Sequence, residues 1–180
     1  NQFAPASAAY NICFAARLTG PLDVDALRAA FCDVVARHEP LRTMYPAVEG
    51  EPCQVVLDSA TVADNALPEP EPVDENELTD RIRQVVAEGF DVAATAPVRG
   101  RLYRTGPAEH VLVLVVHHIA ADGVSMVALG RDIFTAYTDR SNGRAPHWTP
   151  LAVQYADYAL WQRELLGAED DPDSLIARQI

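Results

Sequence analysis

The chain has 180 residues and a formal net charge of −12; 49% of its residues are hydrophobic and 22% are charged. That suits one domain, or one lobe of a larger one, with a real core, and the acidic balance argues against a nucleic-acid binder, which needs a basic face. No apolar run approaches the roughly twenty residues of a membrane span, and Cys13, Cys32 and Cys53 form no CxxC pair, which argues against a thiolate zinc site and fits a reducing, cytoplasmic setting.

The opening NQFAPASAAY carries no signal-peptide pattern and reads as an abrupt start, and the closing DSLIARQI reads as an interrupted helix, so a piece of a longer chain is expected. NICFAARL (11–18) is an extended, apolar-rich segment turned by TGPLD. Asp23 is placed to cap a helix running to about Arg37, with Val24, Leu27, Phe31, Val34 and Val35 on one face. PCQVVL (52–57) reads as a strand, and residues 58–77, acidic and proline-rich, as a solvated connector. Asp74 with Glu77 has the spacing of a capping box, opening an amphipathic helix that ends near Gly89. VRGRLYR (98–104) and EHVLVLVVH (109–117) read as two strands joined through TGPA. A helix follows over about 124–137, and Thr149–Pro150 reads as the cap of a last helix. Interspersed strands and helices make the class α/β or α+β.

The strand 109–117 poses the chemical question, because it is apolar on both faces yet runs into two histidines. Side chains alternate along a strand, so His117 and His118 point to opposite faces and do not form a shared pair. One is expected to overlook whatever lies beyond the strand end, and the other to pack behind it. A strand-end imidazole suits general-base work near neutral pH. Asp122, just before a helix, can cap it or pair with an arginine, and the helix N-terminus can support a developing oxyanion. The plain alternative is that the histidines end a strand and Asp122 only caps a helix. A metal site is disfavoured by the opposed faces, and a serine hydrolase by the lack of a GxSxG elbow.

Taken as a string, HHIAADG (117–123) resembles the HHxxxDG signature of condensation domains from non-ribosomal peptide synthetases. RHEPLRTMY (37–45) is similar to that family's RHExLRTxF motif, with Tyr45 in place of the usual phenylalanine, and YADYALWQ (155–162) is similar to its YxDYAxW motif. YNICFAARLTGPLD (10–23) and FDVAATAPVRGRLYR (90–104) also match its wording. The resemblance spans nearly the whole chain but about half of the family's domain. It implies the N-terminal lobe of a chloramphenicol-acetyltransferase-like pair, a mixed sheet flanked by helices. The first motif is expected before Asn1 and the second lobe after Ile180.

The resemblance also implies the chemistry. The amine of an acceptor aminoacyl thioester attacks a donor acyl or peptidyl thioester, each carried on a phosphopantetheine arm by an upstream or downstream peptidyl carrier protein within a synthetase of adjoining domains. His118 would reach into the tunnel between the lobes, as base or as positioning group. His117 would support the loop, and Asp122 would be structural, paired with Arg42 or, second, Arg37; the alternative for either arginine is a surface ion pair. Gly123 would keep the tunnel wall thin. The domain itself would bind no cofactor and no metal. His38 and Glu39 read as scaffold, and Tyr155, Tyr158 and Trp161 as a packing stripe. The isolated lobe is expected to be inactive, since its tunnel has one wall. The alternatives are a non-catalytic docking platform for carrier or partner proteins, a stand-alone acyltransferase, and an epimerisation-type relative. Epimerising relatives share HHxxxD but tend to lack the RHExLRT wording, cyclising relatives replace the histidines with aspartates, and a cytochrome-recruiting relative departs from HHxxxDG.

Overall fold

The most apolar strand of the sequence sits second in the main sheet, with a neighbour on each side. A computed structural model of the chain describes residues 7–168 and 170–178, the side chains of residues 63–66 aside; residues 1–6, where the abrupt start was read, and the last two residues lie outside them. After a 3-10 turn at Ala8–Tyr10 come β1 (Asn11–Thr19) and α1 (Val24–Arg37), then a 3-10 turn at Glu39–Arg42. Four two-residue strands follow: β2 (Thr43–Met44), β3 (Ala47–Val48), β4 (Glu51–Pro52) and β5 (Val55–Val56). The chain continues through α2 (Ser59–Ala66), β6 (Glu71–Pro72), α3 (Glu75–Ala87), β7 (Val98–Gly106), β8 (Glu109–His117) and α4 (Gly123–Ser141). These elements form one unit, residues 1–148; residues 149–180, with α5 (Tyr155–Leu166), form a second.

The main sheet has the order β1-β8-β7-β6. β1, β8 and β7 are antiparallel, while β6 runs parallel to β7, so the sheet is mixed and the expected α/β class is found. β2 pairs with β5 and β3 with β4 outside it. Alternation along β8 sends Leu112, Leu114 and Val116 into one core, shared with Leu27, Phe31, Val34 and Val35 of α1 and Leu129, Ile133 and Ala136 of α4. Val111, Val113 and Val115 enter a second core with Leu78 and Val85 of α3 and with Phe90 and Val92. Burying each such side chain contributes about 1.5–3 kcal/mol, which explains why the middle of this strand, residues 111–116, is aliphatic throughout. Among the described residues no helix is long and apolar enough to cross a membrane.

Polar ties set where the helices sit. Asp23 caps α1 through the Ala26 amide, and its own amide donates to the Tyr137 hydroxyl on α4. Arg140 of α4 grips Asp33 of α1 through two bonds of 2.7 and 2.6 Å. The C-terminal carbonyls of α3 lack helical partners. Asn11 Nδ2 donates to Val86 O and Glu88 O, and Arg99 donates to Glu88 O and Gly89 O. The sheet therefore anchors that helix end beside the end of β8.

Three local expectations are corrected. Residues 58–77 are not a solvated connector: they hold α2 and β6, with Val62 and Leu67 buried in the first core and Arg28 Nε bonded to Leu67 O. The strand predicted over 52–57 is split, because Cys53 N donates to Pro46 O while Leu57 N donates to Arg42 O, giving its two halves different partners. In the second unit α5 starts at Tyr155, not after Thr149–Pro150, because Asp157 accepts the Gln154 amide and so fixes the first turn there. Gly167 ends α5 at φ 74°, where a Cβ would meet the Ser174 side chain at 2.9 Å. Tyr155, Tyr158 and Trp161 pack on one another in series, with centroids 5.9 and 5.7 Å apart, and all three are exposed. Residues 173–178 form successive turns where a helix was read.

Candidate active site

The end of β8 is fixed by its neighbours' backbones. His117 N donates to Pro97 O at 3.0 Å, and Ala120 N turns back onto His117 O at 2.9 Å. His118 N donates to Tyr10 O at 2.8 Å, just beyond the β1–β8 ladder that ends with Asn11 opposite His117. The two histidines are opposed in environment as well as direction. His117 is 5% exposed and belongs to the α3 side of the sheet. Its ring lies 5.6 Å from that of Tyr10 and meets Phe90 edge-on at 6.2 Å. His118 is exposed, and its ring has no hydrogen-bond partner among the described residues.

His117 Nδ1 accepts the Ile119 amide at 3.1 Å, so it is unprotonated and the neutral ring carries its proton on Nε2. That Nε2 is buried with no partner among the described residues. Burial, with His118 adjacent, pulls the His117 imidazole below the ordinary histidine value, which favours the neutral form.

Asp122 caps α4: its Oδ1 accepts the Ser125 amide at 2.8 Å and the Ser125 hydroxyl at 2.6 Å. These bonds, the hydroxyl first, hold its carboxyl below the usual range. The expected pair with an arginine is not formed among the described residues. Asp122 is exposed and turned to Ser125, while Arg42 Nη1 donates to Leu57 O and Nη2 reaches Glu39, strapping the 3-10 turn to the start of α2. Arg37 Nε donates instead to Asp132, with its guanidinium 4.8 Å from the Trp148 ring centroid. The expected oxyanion role of the α4 N-terminus is also weakened, because a carboxylate already occupies those amides. A Cβ at Gly123 would meet nothing within 4 Å, so packing inside this chain does not demand glycine there.

Sequence reasoning missed Asp132, the buried hub behind the site. It is 6% exposed. Its Oδ2 accepts from Arg37 at 3.1 Å and His38 at 2.9 Å, and its Oδ1 from Arg131 at 3.2 Å. Burial alone would raise this carboxyl; the bonds from His38, Arg131 and Arg37 outweigh it and hold the group below its ordinary value. The RHE run thus locks the end of α1 to α4, the helix that starts next to His118. One signal was legible: Asp132 falls in the apolar stripe Leu129, Ile133, Ala136, and a charge in such a stripe calls for buried partners. Tyr10, at the head of YNICFAARLTGPLD, holds His118 through its carbonyl, a contact that no local pattern signals.

The family model of the condensation domain matches residues 1–173. The chain belongs to the condensation-domain family. This condensation-domain chain is 53% identical over 176 residues to a dimodular nonribosomal peptide synthase of Bacillus subtilis (strain 168), covering 97% of the chain and 7% of that protein. It is 49% identical over 174 residues to an isonitrile lipopeptide synthase of Mycobacterium tuberculosis (strain ATCC 25618 / H37Rv), covering 95% of the chain and 7% of that protein. The X-domain from teicoplanin biosynthesis superposes with TM-score 0.87 at 42% identity, over 97% of this chain and 38% of that one. The first condensation domain of the CDA synthetase shares the fold, with TM-score 0.75 at 20% identity, over 93% of this chain and 44% of that one. The condensation domain's sheet and helices are thus those of the chloramphenicol-acetyltransferase-like fold. The chain spans well under half the length of the relatives it matches.

Proposed function

We propose that these residues serve amide-bond formation in a non-ribosomal peptide synthetase. The observation that carries this reading is the exposed His118 ring, held at the end of a doubly buried strand by the Tyr10 carbonyl. The amine nitrogen of a carrier-bound aminoacyl thioester attacks the carbonyl carbon of a carrier-bound donor thioester. His118 takes the proton from that nitrogen as the tetrahedral intermediate forms; the C–S bond then breaks, and the thiolate leaves with a proton. A thioester is an activated electrophile and an α-amine is partly unprotonated near pH 7, so orientation carries much of the rate. The peptidyl carrier proteins on either side, with their phosphopantetheine arms, and the adjoining synthetase domains are the partners. The free cysteines fit a cytoplasmic setting.

The test is His118→Ala in the intact parent polypeptide with carrier-bound donor and acceptor. Product formation is expected to fall by about 10²–10⁴-fold, the range of a lost general base, with an unchanged circular-dichroism spectrum. Unimpaired turnover in that variant overturns the reading. The 180-residue chain alone leaves His118 open to water and is expected not to turn over.

A docking role is the second reading. The X-domain of teicoplanin biosynthesis, 43% identical over 95% of this chain, has a structure in complex with OxyB. Retention of partner binding and product by His118→Ala favours that role.

A further inference from the structure

Two exposed apolar side chains flank His118. Tyr10 lies across the strand end from it, its carbonyl 2.8 Å from the His118 amide, and Ile119 follows it in the chain. Tyr10 is 53% exposed and Ile119 40%. The Tyr10 backbone is held on both sides of the residue: Ser7 caps its 3-10 turn, the Asn11 amide donates to Ala8 O, and its own carbonyl accepts from His118. The Tyr10 ring rests against His117, and its hydroxyl has no hydrogen-bond partner among the described residues. The one charged side chain between His118 and α4, Asp122, is turned to Ser125. The surface offered beside the imidazole by its immediate neighbours is therefore apolar.

A single exposed apolar residue is ordinary on a protein surface; the position of these two gives them meaning. An amine that passes a proton to His118 comes within hydrogen-bond reach of the ring, about 2.6–3.2 Å. In an aminoacyl acceptor the carbon that bears the side chain is bonded directly to that nitrogen. The acceptor's side chain thus arrives with the amine, beside the groups that flank His118, whereas the donor's is attached beyond the carbonyl carbon. A charged side chain brought there sheds water and finds no partner on Tyr10 or Ile119. An apolar one covers the ring and the aliphatic chain and loses nothing by it.

We propose that Tyr10 is a specificity-determining residue for the acceptor: together with Ile119, its exposed ring receives the acceptor's side chain and selects an apolar one. The proposal rests on the reading of His118 as the imidazole that meets the acceptor amine, and it deepens that reading by naming the class of acceptor.

Leucine and aspartate carry side chains of nearly the same shape and differ in charge, so they make the probe. In the intact parent polypeptide the acceptor carrier protein is loaded with either one by transfer of the whole aminoacyl-phosphopantetheine group from its coenzyme A thioester, which bypasses selection at loading, and one donor serves both. The leucine-to-aspartate ratio of product-forming rates is expected to be about tenfold or more. Tyr10→Phe should keep that ratio, since the ring acts as apolar surface. Tyr10→Ala should lower it by about tenfold, and Tyr10→Arg further, because a guanidinium pairs with the aspartyl carboxylate. Both rates come from one preparation, so a loss of folded protein or of general catalytic power lowers both and leaves the ratio in place. Where a Tyr10 variant fails to fold, Ile119→Arg supplies the same comparison and should shift the ratio in the same direction. A ratio near one in the parent, or a ratio that neither Tyr10→Arg nor Ile119→Arg moves, overturns the proposal. His118→Ala run alongside keeps the two readings apart: normal turnover in that variant sinks the catalytic reading, and the ratios across the Tyr10 variants still decide the acceptor contact.

Discussion

Two carboxylates, Asp122 capping α4 and Asp132 ten residues on within it, divide the labour of this region. Asp122 opens the helix, belongs to the HHIAADG string, and is exposed, and its bonds are local, to the Ser125 amide and hydroxyl three residues on. Asp132 belongs to no motif, is buried, and joins Arg37, His38 and Arg131. The contrast is between a local bond and a long-range one. A cap orders one helical turn and can be replaced by water. A buried carboxylate facing two other positions of the chain cannot be, since removing it takes the counter-charge from the Arg37 guanidinium in a dry place. The motif carboxylate acts within one helical turn, and the unmarked aspartate ties the end of α1 to α4.

The largest expected effect is therefore at Asp132. Asp132→Ala should destabilise the chain by about 3–5 kcal/mol, the usual cost of breaking a buried ion pair by removing one partner, read as a shift in the denaturant midpoint. A loss under about 1 kcal/mol, the range of surface pairs, erases the contrast drawn above. The same group gives the next effect, in pH. Its folded carboxyl sits below the ordinary value, so in the acid range the unfolded chain binds a proton that the folded chain does not. The stabilisation is complete above the unfolded pKa, about 4, and drains away as pH falls through the lower folded value. Denaturation followed from pH 5 downward should show this loss in the parent and a flatter dependence in Asp132→Asn. Equal slopes in the two proteins indicate that the network carries no depressed titration.

Much of the fold was legible because it rests on periodicity. β8 and the buried face of α1 were readable residue by residue, and so was the divergence of His117 and His118, which alternation alone requires. What escaped reading depends on contacts distant in sequence. Residues 58–77 look like a linker by composition, yet Val62 and Leu67 are drawn into a core built by α1 and the sheet, and no local pattern announces those partners. The arginines failed for the same reason. Arg37 and Arg42 stand five residues apart in one motif, but the 3-10 turn between them sends one to α4 and the other to Leu57, just after β5. The strand alone leaves open which histidine faces outward, and the choice of His118 comes from the resemblance to HHxxxDG; the Tyr10 carbonyl that accepts its amide lies more than a hundred residues upstream.

The smallest effect sharpens the comparison most. Asp122→Ala removes a cap acceptor from the exposed first turn of a 19-residue helix whose later turns are held by Asp132, Arg140 and the core. The melting midpoint should fall by no more than a few degrees, well short of Asp132→Ala. Asparagine caps as well as aspartate does, so Asp122→Asn should be nearly neutral if the residue acts through its bond to the Ser125 amide. A role through charge predicts the reverse, with Asn as damaging as Ala. Ser125→Ala, which removes the hydroxyl donor but keeps the amide, should then cost less than Asp122→Ala. Should Asp122→Ala prove as harmful to the chain as Asp132→Ala, the exposed turn would be bearing load that its local bonds cannot explain, and the division between the two carboxylates would fall.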